Sequence, residues 1–142
     1  MEFQLRHINR ISFPKKHILI CEDDLNNQVL AAGAMRRVFD AQGEVVFSFV
    51  SGGVAAAAIM MAQQVDLVLL DHDMPIGNGI DLITWMAEAD RKIPIITFSG
   101  IPQNNANMTE AAKTAGIEVF TYGKFDVIAG WADGTMVSIL RR

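Results

Sequence analysis

Five short apolar runs punctuate this chain, and each is followed by a stretch long enough for a helix. They are HILIC (17–21), EVVFSFV (44–50), VDLVLL (65–70), PIITF (94–98) and IEVFTY (117–122). Runs this short and this rich in branched side chains read as strands rather than helices. The run at 65–70 does not alternate with polar residues, which predicts a strand buried on both faces. Between the runs the spacing turns helical. Leu25, Val29, Ala32, Met35 and Phe39 recur at helical intervals, with Gly43 beyond them. Ser51 is placed to cap a second helix through Ala55–Ala58 and Met60, and residues 79–90 carry Ile80, Ile83, Trp85 and Met86. A fourth helix over 105–115 stops at Gly116, and a fifth spans 125–140, weakened by Gly130 and Gly134. Strands alternating with helices of this size predict a doubly wound α/β fold, a (βα)₅ parallel sheet covered on both faces by right-handed crossovers.

The 142 residues suffice for one domain with a real core. Half the residues are apolar (51%) and only 20% are charged, which excludes a disordered chain. A net charge of −4 gives no footprint for direct nucleic-acid binding. Cys21 is the only cysteine, so neither an internal disulfide nor a cysteine-based zinc site can form. No apolar run approaches a membrane span and no signal-peptide core opens the chain, so no membrane role and a cytoplasmic location are expected. Residues 1–16 fit neither helical nor strand spacing and are basic, leaving the remainder at about −7. They read as an N-terminal extension, either a flexible leader or an arm that packs on this domain or a second copy. Residues 17–142 form the folded domain.

Chemistry concentrates where the strands end. Strand 1 runs into Glu22, Asp23 and Asp24; strand 3 into Asp71, His72 and Asp73, with a loop forced by Pro75, Gly77 and Gly79; strand 4 into Ser99-Gly100. Asp71 alone could be no more than a helix cap. With strand order 2-1-3-4-5, however, strands 1 and 3 are neighbours at the switch point, and their carboxylates converge. Two unit charges 4 Å apart repel by about 4 kcal/mol at an effective dielectric near 20. A cation is therefore expected, and an all-oxygen donor set points to Mg²⁺.

These motifs together resemble the receiver domain of bacterial two-component response regulators, over residues 17 to about 128. The resemblance rests on the acidic pair after strand 1, LLD-x-x-MP-x-x-x-G around Asp71, and Ser-Gly after strand 4. It implies a flavodoxin-like sheet with Asp71 as phosphoacceptor. It also implies Mg²⁺ held by Glu22, Asp23, Asp71 and the backbone carbonyl of Asp73, and Ser99 as switch hydroxyl. The chain would then be a stand-alone, chemotaxis-regulator-like switch rather than an enzyme, phosphorylating and slowly dephosphorylating itself. A sensor histidine kinase or phosphotransfer protein would supply the phosphoryl group, a downstream protein would read it, and a homodimer is open. One departure stands out. The family carries Lys-Pro after strand 5, and this chain reads Tyr122-Gly123-Lys124-Phe125. Without a gap Gly123 takes the lysine's place. Lys124 is expected to serve, because Gly123 lets the backbone bend, and Phe120 is expected near the family's switch aromatic.

Other readings attach to the same residues. Leu-Asp-His-Asp, with Asn104, Asn107 and Met108, echoes a divergent receiver branch proposed to process nucleotide cyclic phosphates. Asp71-x-Asp73 resembles the haloacid-dehalogenase-type phosphatases, which need a later acidic pair that Asp126 and Asp133, in a helical pattern, do not supply. A flavin or nucleotide binder would place Gly, Ser and Thr after strand 1, where this chain is acidic. A receiver-shaped interaction module that no longer switches is the remaining alternative. His7 and His17 carry no partner pattern.

Overall fold

The computed structural model describes residues 15–39 and 45–142. Five strands, β1 (Lys16–Cys21), β2 (Val45–Val50), β3 (Leu67–Leu70), β4 (Ile95–Thr97) and β5 (Val119–Thr121), form one sheet in the order β2-β1-β3-β4-β5. Every pairing is parallel. The helices are α1 (Leu25–Phe39), α2 (Gly53–Ala62), α3 (Gly79–Glu88), α4 (Pro102–Thr114), α5 (Lys124–Ile128) and α6 (Asp133–Leu140). This is the expected flavodoxin-like, doubly wound sheet. The sequence segments expected at residues 1–14 and at Glu44 lie outside the described residues.

Burial explains why the central strands read as unbroken apolar runs. Ile18 to Cys21 and Leu67 to Leu70 are all fully buried. Leu19, Val68, Leu70 and Ile95 join Leu82, Met86 and Met108 in one layer. Ile18, Ile20, Leu69 and Phe98 join Ala31, Val127 and Met136 in the other. Each of the buried leucines, isoleucines, valines, methionines and Phe98 contributes about 1.5–3 kcal/mol on burial.

Three local expectations are corrected. First, of the expected stripe on α1, Ala32 is buried but Leu25 and Val29 are exposed; Gln28, Ala31 and Ala34 are buried beside Ala32 instead. Small alanines let its backbone lie close to the sheet, while Gln28 turns inward to donate from Nε2 to the carbonyl of Glu22 at 2.5 Å. The side chains of Met35 and Phe39 lie outside the described part. Second, Ser51 does not cap α2. The cap is Gly52, whose side-chain-free backbone lets the helix end approach another loop. There the N–H groups of Gly53 and Val54 donate to the carbonyls of Gly77 (2.7 Å) and Ile76 (3.2 Å). Third, the helix expected over 125–140 is two helices, broken where Gly130 takes a φ of +92°.

The contact between Gly52-Gly53 and the loop after β3 fixes how the chain leaves Asp71. In that loop Ile76 has φ +53° and Gly77 φ +95°. A β-branched residue in the left-handed region is strained by roughly 1–3 kcal/mol, and the two bonds from the α2 N-terminus hold it there. A methyl group on Gly52 would stand 2.4 Å from the Pro75 carbonyl oxygen and 2.9 Å from that of Ile76. Both obstacles are backbone, so Gly52→Ala is expected to destabilise the protein by about 1–3 kcal/mol. Urea unfolding measures this, and an unchanged midpoint contradicts it.

Candidate functional site

The strand ends deliver the site through continued backbone pairing. Glu22 N–H donates to the Val50 carbonyl, Asp71 N–H to that of Cys21, Phe98 N–H to that of Leu70 and Tyr122 N–H to that of Thr97. Each bond carries the ladder one residue past a strand. Glu22, Asp71, Ser99 and Lys124 therefore emerge in a row along the carboxyl edge of the sheet, where open α/β sheets bind ligands.

Glu22 (1% exposed), Asp71 (3%) and Ser99 (2%) are buried there, and Asp23 is exposed. Carboxylate oxygens of Glu22, Asp23 and Asp71 all lie within 4.8 Å of one another. The Lys124 ammonium sits 3.0 Å from Glu22 Oε2 and 3.3 Å from Asp71 Oδ2, and 5.8 Å from the centre of the Phe98 ring. Glu22 Oε1 accepts the Asp24 N–H at 3.1 Å. Glu22 Oε2 is buried beside Lys124 without a directional hydrogen bond of its own. Three carboxylates and one ammonium leave a formal charge of −2, matched by one divalent ion. The donors are all oxygen, which suits a hard cation such as Mg²⁺.

Burial is the largest influence on both inner carboxyls and holds each above its ordinary range. Lys124 and a backbone N–H oppose it in each case, from Asp24 toward Glu22 and from His72 toward Asp71. For Lys124 burial works against the charge, but Glu22 and Asp71 together outweigh it and raise its pKa. Lys124 reaches the acids as the first residue of α5, and the bend does not depend on Gly123 flexibility. Gly123 has φ −68°, open to any residue; what its missing side chain leaves is space for Asp126 Oδ2, 3.0 Å from where a Cβ would stand.

The remaining expected residues sort themselves by position. Asp73 is exposed, and its carboxylate lies 2.9 Å from His72 Nδ1. Asn107 accepts a hydrogen bond from Gln103 at 2.8 Å, and Met108 is buried in the core, so neither joins the acidic cluster. Phe120 packs in the layer of Ile18 and Phe98. The neighbouring Thr121 faces α4 instead, where its hydroxyl lies 2.5 Å from that of Thr109. Phe120 and Thr121 thus face opposite sides of the sheet.

Sequence reasoning missed three polar side chains. His17 bridges Ser48 Oγ (2.7 Å) and the Gln64 carbonyl (3.0 Å) at the far end of the sheet. Gln28 anchors the Glu22 backbone, and Asn105 binds the backbone of Ser99. An asparagine early in a helix is a weak helix former and was the available signal for the last.

The family model for the response regulator receiver domain matches residues 18–126. The chain belongs to this family. The receiver is 31% identical over 105 residues to a protein-glutamate methylesterase/protein-glutamine glutaminase of Trichodesmium erythraeum. That match covers 72% of this chain and 28% of the relative, so the chain spans little more than a quarter of that relative's length. Among solved structures, the phosphorylated cyanobacterial phytochrome response regulator RcpA superposes with a TM-score of 0.70 at 17% identity, covering 87% of this chain and 96% of RcpA. The Mn²⁺-bound form of response regulator Rcp1 superposes with a TM-score of 0.65 at 18% identity, covering 85% of this chain and 94% of Rcp1. Among the described residues no helix is long and apolar enough to cross a membrane.

Because the folded receiver holds Glu22 and Asp71 at raised pKa, it takes up protons where the unfolded chain does not. The stability linked to this uptake grows as pH falls through the raised range and is absent once pH exceeds it. Without divalent metal, the wild type is expected to gain stability relative to Glu22→Gln as pH drops toward the ordinary carboxylate range, near pH 4. Thermal melts of both proteins across that range check this; a difference that stays constant with pH contradicts it.

Proposed function

We propose that this receiver is a phosphorylation-dependent switch in which Asp71 takes a phosphoryl group from a phosphohistidine and alters binding to a downstream protein. The observation that carries the reading is the convergence of Glu22, Asp23 and Asp71 on the Lys124 ammonium at one edge of the sheet. The donor is a sensor histidine kinase or phosphotransfer protein, and the setting is cytoplasmic. A carboxylate oxygen of Asp71 attacks phosphorus, the P–N bond breaks, and the imidazole leaves with the electron pair. An acyl phosphate remains on Asp71.

In-line phosphoryl transfer needs positioning and counter-charge more than covalent help. Lys124 supplies a fixed positive charge to the phosphoryl oxygens. Ser99 donates its hydroxyl proton to the new group. Asp71 is raised in pKa by burial, and Lys124 opposes that effect and favours the ionised, nucleophilic form. Mg²⁺ would be held by the carboxylates of Glu22, Asp23 and Asp71 with the backbone carbonyl of Asp73, and when bound it neutralises charge on the transferring group. The buried Glu22 Oε2, which faces the Lys124 ammonium at 3.0 Å, supports that donor set.

A protein donor fits the rim of the site. Leu25, Ile76, Ile101 and Phe125 are exposed apolar residues just beyond β1, β3, β4 and β5, around the acidic pocket. Such a rim favours contact with a protein surface over a small phosphorylated metabolite. The residues ahead of β1 are proposed as an extension to the domain, which itself begins at Lys16, paired with Val45 in the sheet.

Acetyl phosphate with Mg²⁺ is expected to add one phosphoryl group to the intact mass of the wild type and none to Asp71→Asn. Lys124→Ala should slow this reaction at least about tenfold, the scale of losing one charged hydrogen-bond donor. It should also destabilise the metal-free protein, because two buried carboxylates lose their counter-charge. A wild type that binds Mg²⁺ yet gains no mass would instead be an interaction module that does not switch.

A further inference from the structure

One buried polar side chain beside the acidic pocket has no part in the chemistry described so far. Asn105, the fourth residue of α4, is 5% exposed. A carboxamide offers two N–H donors and two lone pairs, and three of these four capacities go to main chain in two different loops. Its Oδ1 accepts the Ser99 N–H at 2.8 Å. Its Nδ2 donates to the Ser99 carbonyl at 2.9 Å and to the Tyr122 carbonyl at 3.1 Å. Both backbone polar groups of Ser99 are thus held by one planar group. The Ser99 oxygen also accepts the Ile101 N–H at 3.1 Å, which leaves the hydroxyl proton free to be donated elsewhere.

The bond to Tyr122 extends this hold. Tyr122 stands two residues before Lys124, whose ammonium rests on Glu22 and Asp71. A displacement of Ser99 must therefore drag the loop bearing Lys124 or leave a buried carbonyl without its donor, and an unmade buried bond is costly. Helix formation does not account for Asn105. The α4 cap, Ile101, makes no side-chain capping bond, and asparagine is unfavourable within a helix.

We propose that Asn105 is a positioning residue that couples Ser99 to Lys124, so that the hydroxyl and the ammonium take up their places around Asp71 as one unit. This rests on the phosphoryl-switch reading of Asp71, Ser99 and Lys124 above. Thr109 supplies a control on the same helix. Its hydroxyl bonds to the Asn105 carbonyl at 2.8 Å and to the Thr121 hydroxyl, and to neither Ser99 nor Tyr122.

The experiment compares wild type, Asn105→Asp and Thr109→Val, all as the full chain. Asn105→Asp keeps the shape and the acceptor for Ser99 N–H but removes both donors and turns a carboxylate toward two carbonyls. The first reading is the amide resonances of Ser99, Gly123 and Lys124 with Mg²⁺ alone. The second is the lifetime of the acyl phosphate formed from acetyl phosphate. Asn105→Asp should shift the resonances of both loops and shorten the lifetime about tenfold, the scale of a lost buried hydrogen bond, with Mg²⁺ affinity unchanged. Thr109→Val should lower the melting temperature and leave both readings as in wild type. Shifts confined to Ser99, or a wild-type lifetime in a folded Asn105→Asp, overturn the coupling. If the wild type takes no phosphoryl group, the switch reading fails and the resonances alone decide whether the loops are coupled. If Asn105→Asp does not fold, Asn105→Ser carries the same two readings.

Discussion

Two buried carboxylates sharing one ammonium set the terms for this molecule. Glu22 and Asp71 end adjacent strands, so the parallel ladder that pairs Cys21 with Leu70 forces them together. Bringing each out of water costs several kcal/mol, and their mutual repulsion adds to that. Lys124, at 3.0 and 3.3 Å, offsets part of this burden, yet both acids remain raised in pKa. The arrangement is therefore held by the sheet rather than by its own electrostatics. A site kept short of positive charge in this way is suited to a divalent ion.

The surrounding loops are built to hold that geometry. Asp24 accepts the Asn27 N–H at 3.0 Å and so opens α1 directly after the acidic run. On the other side, Asn78 and Asp81 form a reciprocal capping box at the start of α3. Gly79 fits beneath them only because it lacks a side chain. A Cβ there would stand 2.5 Å from Met108 Sδ and 2.9 Å from the Asp71 carbonyl oxygen. Just before the second cap the chain passes through the strained Ile76-Gly77 pair, which carries carbonyls to the α2 N-terminus. The loop after the proposed phosphoacceptor is thus tied at both ends, and the Ser99 loop is tied by Asn105.

Placement of the apolar residues follows from the same sheet. Its two covered faces absorb the branched side chains of β1, β3 and β4. Helix α1 then meets a surface already filled with large residues, and alanines fit against it better than Leu25, Val29 and Leu30, which α1 presents to solvent. Those exposed residues lie on the flank of the domain that begins at the acidic pocket, and Leu25 is shared with the pocket's rim.

The architecture was legible from residue order alone, because a parallel strand buried on both faces has a local signature, an apolar run ended by turn residues. The same holds for Glu22, Asp23, Asp71 and Ser99, since strand ends of a doubly wound sheet share one edge. Register and facing were not legible. Whether Lys124 reaches the acids, and whether Phe120 or Thr121 faces α4, turns on a single residue of offset in β5, and a one-residue slip exchanges the two faces of a strand. The roles of Asn105, Gln28 and Gly52 also needed tertiary structure, for their partners are backbone groups. A carbonyl at Tyr122 or Ile76 looks the same in any sequence, and only the fold brings it within reach.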